Sequence, residues 1–332
     1  MPTPRKPGKA AANAAERTAQ HQRVLQKQGK AAEKSGKKKA GKKAVQAGAR
    51  LQPVKLPAQH LSKPGNEHEL LKAPRFLAPD YIGSNKLRGM KAIVTGADSG
   101  IGRAVAVLFA REGADVAVFY LSEHEDAKLT KACVESEGRK CVLIAGDVKD
   151  PAFCESGVAA AVKALGGLDI MVNNAAFQLH ACDIQDLSEK HFQETLQTNI
   201  GGYFRMAKAS IPHLKQGGCI INTGSETGIF GHKDLLDYAA TKGAIHNFTL
   251  SLASHLLPRG IRVNAVAPGP VWTPLNPADK SAKQVARFGQ DSDMGRVAQP
   301  EEISPAYVFL ASPVTASYIN GIVLPVMGGP RG

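Results

Sequence analysis

The sequence predicts an α/β fold, doubly wound around a parallel sheet of seven strands and preceded by a basic extension. Three observations lead there. From Met90 onward short apolar runs alternate with helix-patterned stretches, a glycine-rich turn follows the first run directly, and residues 1–50 lack the large apolar side chains that a core needs.

Residues 1–50 are mostly Ala, Lys, Gly and Gln. They hold fourteen lysines and arginines against two glutamates, nearly all of the formal charge of +13 on the 332-residue chain. Such a segment buries too little surface to offset the entropy of ordering, and disorder is predicted for it. Its charge would attract phosphate backbones through counterion release, but Lys30 to Lys43 offers no aromatic residue for stacking on bases. It therefore reads as a solubilising tail, with contact to nucleic acid or another anionic surface as the alternative. In residues 51–88, Pro53, Pro57, Pro64, Pro74 and Pro79 recur among a few apolar side chains, the pattern of an extended arm on a surface. Residues 89–332 form the predicted catalytic domain.

Seven apolar runs bounded by turn residues supply the strands: Lys91 to Thr95, Asp115 to Tyr120, Lys140 to Ile144, Asp169 to Asn173, Cys219 to Thr223, Arg262 to Val266 and Ile322 to Val326. Helical patterns separate the first six, at Gly102 to Glu112, Glu123 to Glu137, Pro151 to Leu165, Ser188 to Lys215 and Tyr238 to Leu257. Strands this apolar suit a parallel sheet covered on both faces. Trp272 to Arg296, with Pro274, Pro277, Phe288 and Met294, breaks the alternation and reads as a mobile lid.

Composition excludes several classes. The five cysteines are scattered, with no C-x-x-C pair, so neither a disulfide framework nor a zinc site is expected, and the ten histidines show no metal-ligand spacing. No apolar run is long enough to span a bilayer and no secretory signal opens the chain, which points to a cytoplasmic protein without a membrane partner. The acidic run Glu123-His124-Glu125-Asp126 is best explained as a solvated helix start, its carboxylates at the positive end of the helix dipole.

Two motifs carry chemistry. Thr95-Gly96-Ala97-Asp98-Ser99-Gly100-Ile101-Gly102 lies between the first strand and the first helix, where glycines admit a pyrophosphate and free N–H groups meet it. Tyr238 and Lys242 are four residues apart on a predicted helix and so share a face. An ammonium there should draw the phenol pKa down from about 10 toward working pH, as a general acid/base requires.

Together with Asp147-Val148, Asn173-Asn174-Ala175-Ala176, Asn199, Ser225 and Pro268-Gly269, these motifs resemble the short-chain dehydrogenase/reductase family from about Leu87 to Gly329. Asp98 to Arg103, Asp237 to Lys242 and the leading arm are similar to its bacterial stress-related or aldehyde-reducing subgroup. The resemblance implies a Rossmann domain and an NAD(P)-dependent enzyme acting on CH–OH groups, interconverting an aldehyde or ketone and an alcohol. Tyr238 would be the general acid/base, Ser225 would hold the carbonyl oxygen, Lys242 would also bind the nicotinamide ribose, and Asn199 would hold a water linking Lys242 to solvent. For the cofactor it implies the turn residues Gly96, Asp98, Ser99, Gly100, Ile101 and Gly102, Asp147 and Val148 at adenine, and Asn174 at the adenosine ribose. Pro268, Gly269, Val271 and Thr273 follow at the nicotinamide. Ala176 departs from the family's usual glycine.

Tyr120 stands where an acidic residue would select NAD, so the reading leans to NADP(H), although no basic residue stands there either. A homotetramer built through the helices at Ser188 to Lys215 and Tyr238 to Leu257 is the family's usual assembly. The competing reading is a catalytically weak, NAD(P)-sensing protein whose tail binds nucleic acid.

Overall fold

The computed structural model describes residues 43–330. The disorder expected for most of the tail, and any contact it makes, fall outside the described residues. The seven strands are β1 (Lys91–Thr95), β2 (Asp115–Tyr120), β3 (Cys141–Ala145), β4 (Leu168–Asn173), β5 (Leu214–Thr223), β6 (Arg262–Pro268) and β7 (Val323–Val326). Every pairing is parallel, in the order β3-β2-β1-β4-β5-β6-β7. The order reverses between β1 and β4, which opens a crevice at the carboxyl ends of the strands.

Alternate strand residues feed two cores. Ala92 and Val94 join Leu108, Phe109, Ile303 and Tyr307 on one face, while Ile93 joins Val158, Met206 and Leu256 on the other. The covering helices are α1 (Gly100–Arg111), α2 (His124–Ser136), α3 (Pro151–Leu165), α4 (Glu189–Leu196), α5 (Gly202–Ser210), α6 (Leu236–Leu256) and α7 (Pro300–Ala311). Local chemistry sets their ends. In α3, the Asp150 side chain accepts from Ala152 N, Pro151 occupies the first turn, and Gly166 closes the helix at φ +82°.

The structure corrects the sequence reading at several points. The single helix expected over Ser188 to Lys215 is broken: α4 runs into a π-turn at Gln197–Gly201, α5 ends before Pro212, and β5 already begins at Leu214. Helix α7 carries no signal in the sequence reading, because Pro305 lies inside it; Pro300 and the reciprocal Gln299/Glu302 capping box start it instead. The acidic run is not wholly solvated. Asp126 is 1% exposed and accepts from the backbone N–H of Glu67 at 2.6 Å and of His68 at 3.1 Å.

Those contacts belong to the arm. Residues 44–88 contain one short 3-10 turn, Glu67–Glu69, and otherwise no helix or strand. Three buried carboxylates receive its backbone. Besides Asp126, Glu112 accepts from Ser84 N at 3.0 Å and Lys86 N at 2.8 Å, and Glu301 accepts from Ala78 N at 3.1 Å. Charge-assisted bonds of this kind hold an extended chain that has no ladder of its own. The docking begins earlier than expected, since Val45 N–H donates to Met294 O, Val45 O accepts from Arg296 Nε, and Arg50 pairs with Glu301.

The segment expected to be a mobile lid lies beneath this arm. Leu56, Leu61 and Leu70 pack on Trp272, Ala278, Val285 and Val297 in a third apolar cluster. Trp272 is fully buried, and its indole N–H donates to Lys72 O at 2.9 Å. Burial of that much aromatic surface ties the segment down.

Candidate active site

The crevice holds a cleft of about 350 Å³. Its floor is the Gly96–Gly102 turn, and two glycines there are required by space. At Gly96, φ is +59° and a Cβ would lie 3.0 Å from Ala175 Cα; at Gly102 a Cβ would lie 2.1 Å from the Gly96 carbonyl oxygen. Helix α1 starts at Gly100, whose N–H donates to Glu67 Oε2 at 2.7 Å. The arm therefore takes one of the free N–H groups of the first turn, leaving those of Ile101 and Gly102 for another anion.

All of the expected cofactor residues except Gly102 line this cleft. Asp147 and Val148 follow β3, and Pro268, Gly269, Val271 and Thr273 follow β6. Tyr120 ends β2 with its hydroxyl 3.0 Å from His124 Nδ1. Asn174 braces the turn, its amide donating to Thr95 O at 3.1 Å and Gly96 O at 3.0 Å. Ala176 also lines the cleft. Asp98 lies 7% exposed at the same end, and burial, reinforced by the charge of Glu123, pushes its carboxyl up to about 7.

Ser225, Tyr238 and Lys242 meet in one buried corner of the cleft. Helix α6 places Tyr238 and Lys242 on one face, with the Lys242 Nζ 5.4 Å from the centre of the Tyr238 ring. That ammonium donates to Thr223 O at 2.7 Å. Ser225, just past β5, accepts from Thr227 N at 3.1 Å and from Thr227 Oγ1 at 3.0 Å, so its own hydrogen turns toward Tyr238.

Asn199 does not reach this corner through its side chain. It sits in the π-turn, fully buried, with its amide accepting from Phe177 N at 2.7 Å and donating to Phe177 O at 2.9 Å and Thr241 Oγ1 at 3.1 Å. Thr241 in turn donates to Tyr238 O at 2.7 Å. Asn199 thus joins the loop after β4 to the helix of the tyrosine.

The electrostatics differ from the expectation that the ammonium draws the phenol down. Burial raises the Tyr238 pKa well above its ordinary value, Glu226 and Asp279 add to the rise, and a hydrogen bond from Ser225 works against it. Burial also lowers Lys242 to about 7. Lys242 faces the ring and gives its hydrogen bond to a backbone carbonyl, and it is desolvation that sets the direction for the phenol.

Sequence reasoning missed several lining residues. Lys63 and Gly65 come from the arm, Gln178 from the loop after β4, and Lys280 from the segment beneath the arm, whose Phe288 was expected there as part of a lid. Glu226, next to Ser225, also lines the cleft; its Oε2 is buried without a hydrogen-bond partner, and burial raises the carboxyl to about 7. An acidic residue directly after the motif serine was the available signal.

A family model described as enoyl-(acyl carrier protein) reductase matches residues 96–330. General stress protein 39 of Bacillus subtilis (strain 168) is 51% identical over 278 residues, covering 83% of this chain and 97% of that protein. The chloroplastic NADPH-dependent aldehyde reductase 1 of Arabidopsis thaliana is 44% identical over 277 residues, 82% of this chain and 96% of that one. A crystal structure of a short-chain dehydrogenase from Burkholderia cenocepacia J2315 in complex with NADP superposes with a TM-score of 0.69 at 34% identity, covering 74% of this chain and all of that one. Because the family match spans most of the chain and the stress protein aligns over nearly its whole length, the chain belongs to the short-chain dehydrogenase/reductase family of NAD(P)-dependent oxidoreductases.

Proposed function

We propose that the protein interconverts an aldehyde or ketone and the corresponding alcohol, with Tyr238 as general acid/base. The observation that carries this reading is the buried corner of Ser225, Tyr238 and Lys242, which opens on the same cleft as the glycine turn. When bound, the nicotinamide supplies or accepts the hydride. The chain's own residues handle the proton. Tyr238 keeps its proton at neutral pH because burial disfavours the phenolate, so it can donate to the carbonyl oxygen. The hydrogen that Ser225 turns toward Tyr238 can pass to the same oxygen as charge develops on it. Lys242 has two donors beyond the one given to Thr223, enough for a ribose hydroxyl. Asn199 is a positioning residue through Phe177 and Thr241; a water linking Lys242 to solvent would be held by the backbone of its π-turn.

The cleft suits a dinucleotide. Ile101 and Gly102 N–H would meet the pyrophosphate, Asp147 and Val148 the adenine, Asn174 the adenosine ribose, and Val271 and Thr273 the carboxamide. For NADP(H) over NAD(H), support comes from the missing acid at Tyr120 and from the Arabidopsis relative named for NADPH dependence. Asp98 acts against a 2′-phosphate once ionised. Titration of the full chain with NADPH and NADH, followed by the fluorescence of the bound reduced nicotinamide, should show NADPH binding about tenfold tighter at pH 6, or about 1.4 kcal/mol. The ratio should shrink as pH rises through 7, because Asp98 then loses the proton that burial lets it keep. Binding of neither cofactor would remove the proposal.

A homotetramer belongs to the same reading. Phe204 on α5 and Leu250 on α6 are exposed at 53% and 46% on the helices that would form the contact. Sedimentation equilibrium should give the mass of four chains, and the mass of one chain would end that part of the proposal.

A further inference from the structure

Besides Lys149, which pairs with Asp147 and Glu194, the hydride chemistry leaves two ammonium groups of the cleft unused. Lys63, from the arm, donates to the Gln178 carbonyl and lies 5.1 Å from the centre of the Phe177 ring. Lys280, from the segment beneath the arm, contacts His180 Nε2 at 2.9 Å and lies 5.3 Å from the centre of the Phe288 ring. Both line the cleft that holds Ser225 and Tyr238.

Among the described residues, neither ammonium pairs with a carboxylate. Asp279 is the carboxylate whose charge reaches Lys63, Lys280 and Tyr238 alike, which places all four in one region. Its side chain is fully buried and already engaged: it accepts from His180 N at 2.7 Å and Gln178 Nε2 at 2.6 Å and pairs with the His180 ring. Asp234 acts on Lys280 only through space, and Glu226 sits where burial favours its protonated form. Each ammonium has three donors and uses one. Burial lowers Lys63 to about 8 and lowers Lys280 as well, as expected of positive charge held in a partly dry site without a matched counter-ion.

We propose that Lys63 and Lys280 form a clamp for an oxyanion, so that the carbonyl compound this enzyme turns over carries a carboxylate or phosphate group on a short chain beyond the reacting carbon. The inference rests on the carbonyl/alcohol reading above. With its carbonyl at Ser225 and Tyr238, such a substrate brings its anion to the wall built by the arm and the covered segment. There it gains charge-assisted hydrogen bonds from both ammoniums. The arm is then part of the substrate site, because it supplies half of the clamp.

The test measures kcat/KM on the full chain for matched pairs, 4-oxobutanoate against butanal and glyceraldehyde 3-phosphate against glyceraldehyde, with the tighter-binding reduced nicotinamide. The anionic member should be favoured by roughly tenfold or more in at least one pair, and the pair in which this occurs identifies the oxyanion. Lys63→Met and Lys280→Met should each lower the anionic-to-neutral ratio by roughly tenfold. Their cofactor Kd, which also reports folding, should stay within about twofold of the wild type, a difference of well under 1 kcal/mol. Wild-type enzyme that reduces the neutral aldehydes equally well overturns the clamp and leaves the reductase reading standing. Loss of cofactor binding in a folded Lys63→Met protein overturns it too, by assigning that ammonium to the cofactor phosphates. Cofactor binding without turnover of any of the four compounds overturns both readings.

Discussion

Tyr238→Phe should lower kcat for carbonyl reduction by roughly 10²–10⁴-fold, the range over which a positioned general acid contributes, while the Kd of the reduced nicotinamide changes little. The substitution removes one oxygen. The ring remains beside Lys242, which stays hydrogen-bonded to Thr223 O, so the corner keeps its shape. An interaction made only as the proton moves lowers kcat and kcat/KM together, whereas a contact that merely holds substrate raises KM alone. The wild-type pH profile gives a second readout. Reduction needs the phenol protonated, and burial raises its pKa, so reduction should hold through neutral pH and decline only on the alkaline side. Oxidation needs the phenolate and should rise with pH over the same interval. A phenylalanine variant that keeps more than about a tenth of wild-type kcat, or the same pH profile, would remove Tyr238 from the chemistry.

The parts of this site that a reader of the sequence can find are the local ones. Tyr238 and Lys242 are neighbours on a helix whatever the remaining chain does, and the glycine turn follows its strand directly. β1 and β2 run over the expected residues because β-rich apolar runs there end in turns at both sides. β5 starts early because Leu214 pairs with Leu168 across an irregularity in register, which leaves no trace in the apolar pattern. The π-turn at Gln197–Gly201 is equally silent, since one widened turn hardly disturbs helical spacing.

What stayed hidden is the work of residues distant in the chain. The prolines of the arm announce an extended segment, but not the three buried carboxylates that receive it. Lys63 and Lys280 share a cleft only because the arm crosses the segment after β6. The raised Tyr238 pKa is hidden for a related reason. A four-residue spacing reveals the neighbouring cation, while the burial that raises the phenol pKa is a property of the assembled corner.

Arg103 is the junction between arm and site, and Arg103→Leu should cost about 3–5 kcal/mol, the loss found when one partner of a buried ion pair is removed. The guanidinium is buried, pairs with Glu67 and lies 3.7 Å from Asp126 Oδ1. It also donates to Asp98 O at 2.9 Å and Thr130 Oγ1 at 2.9 Å. Leucine fills most of the space but leaves two carboxylates in the interior without their cation. That charge sets the pH signature. Burial already raises the Glu67 pKa above its unfolded value and Arg103 lowers it, so the variant raises it further. A carboxyl whose folded pKa lies above the unfolded one is stabilising to protonate, and its penalty grows as pH rises through the folded pKa. Thermal melts should therefore show a larger deficit at pH 8 than at pH 5, whereas a simple packing defect would cost the same at both. The exposed pair Glu125–Lys128 on α2 is the control, and Lys128→Ala should leave the melt unchanged. Because Glu67 also accepts from Gly100 N at the start of α1, the variant should bind the reduced nicotinamide more weakly even where it is fully folded. A pH-independent deficit with unaltered cofactor affinity would mean that the Glu67–Arg103–Asp126 cluster holds neither the arm nor the phosphate turn.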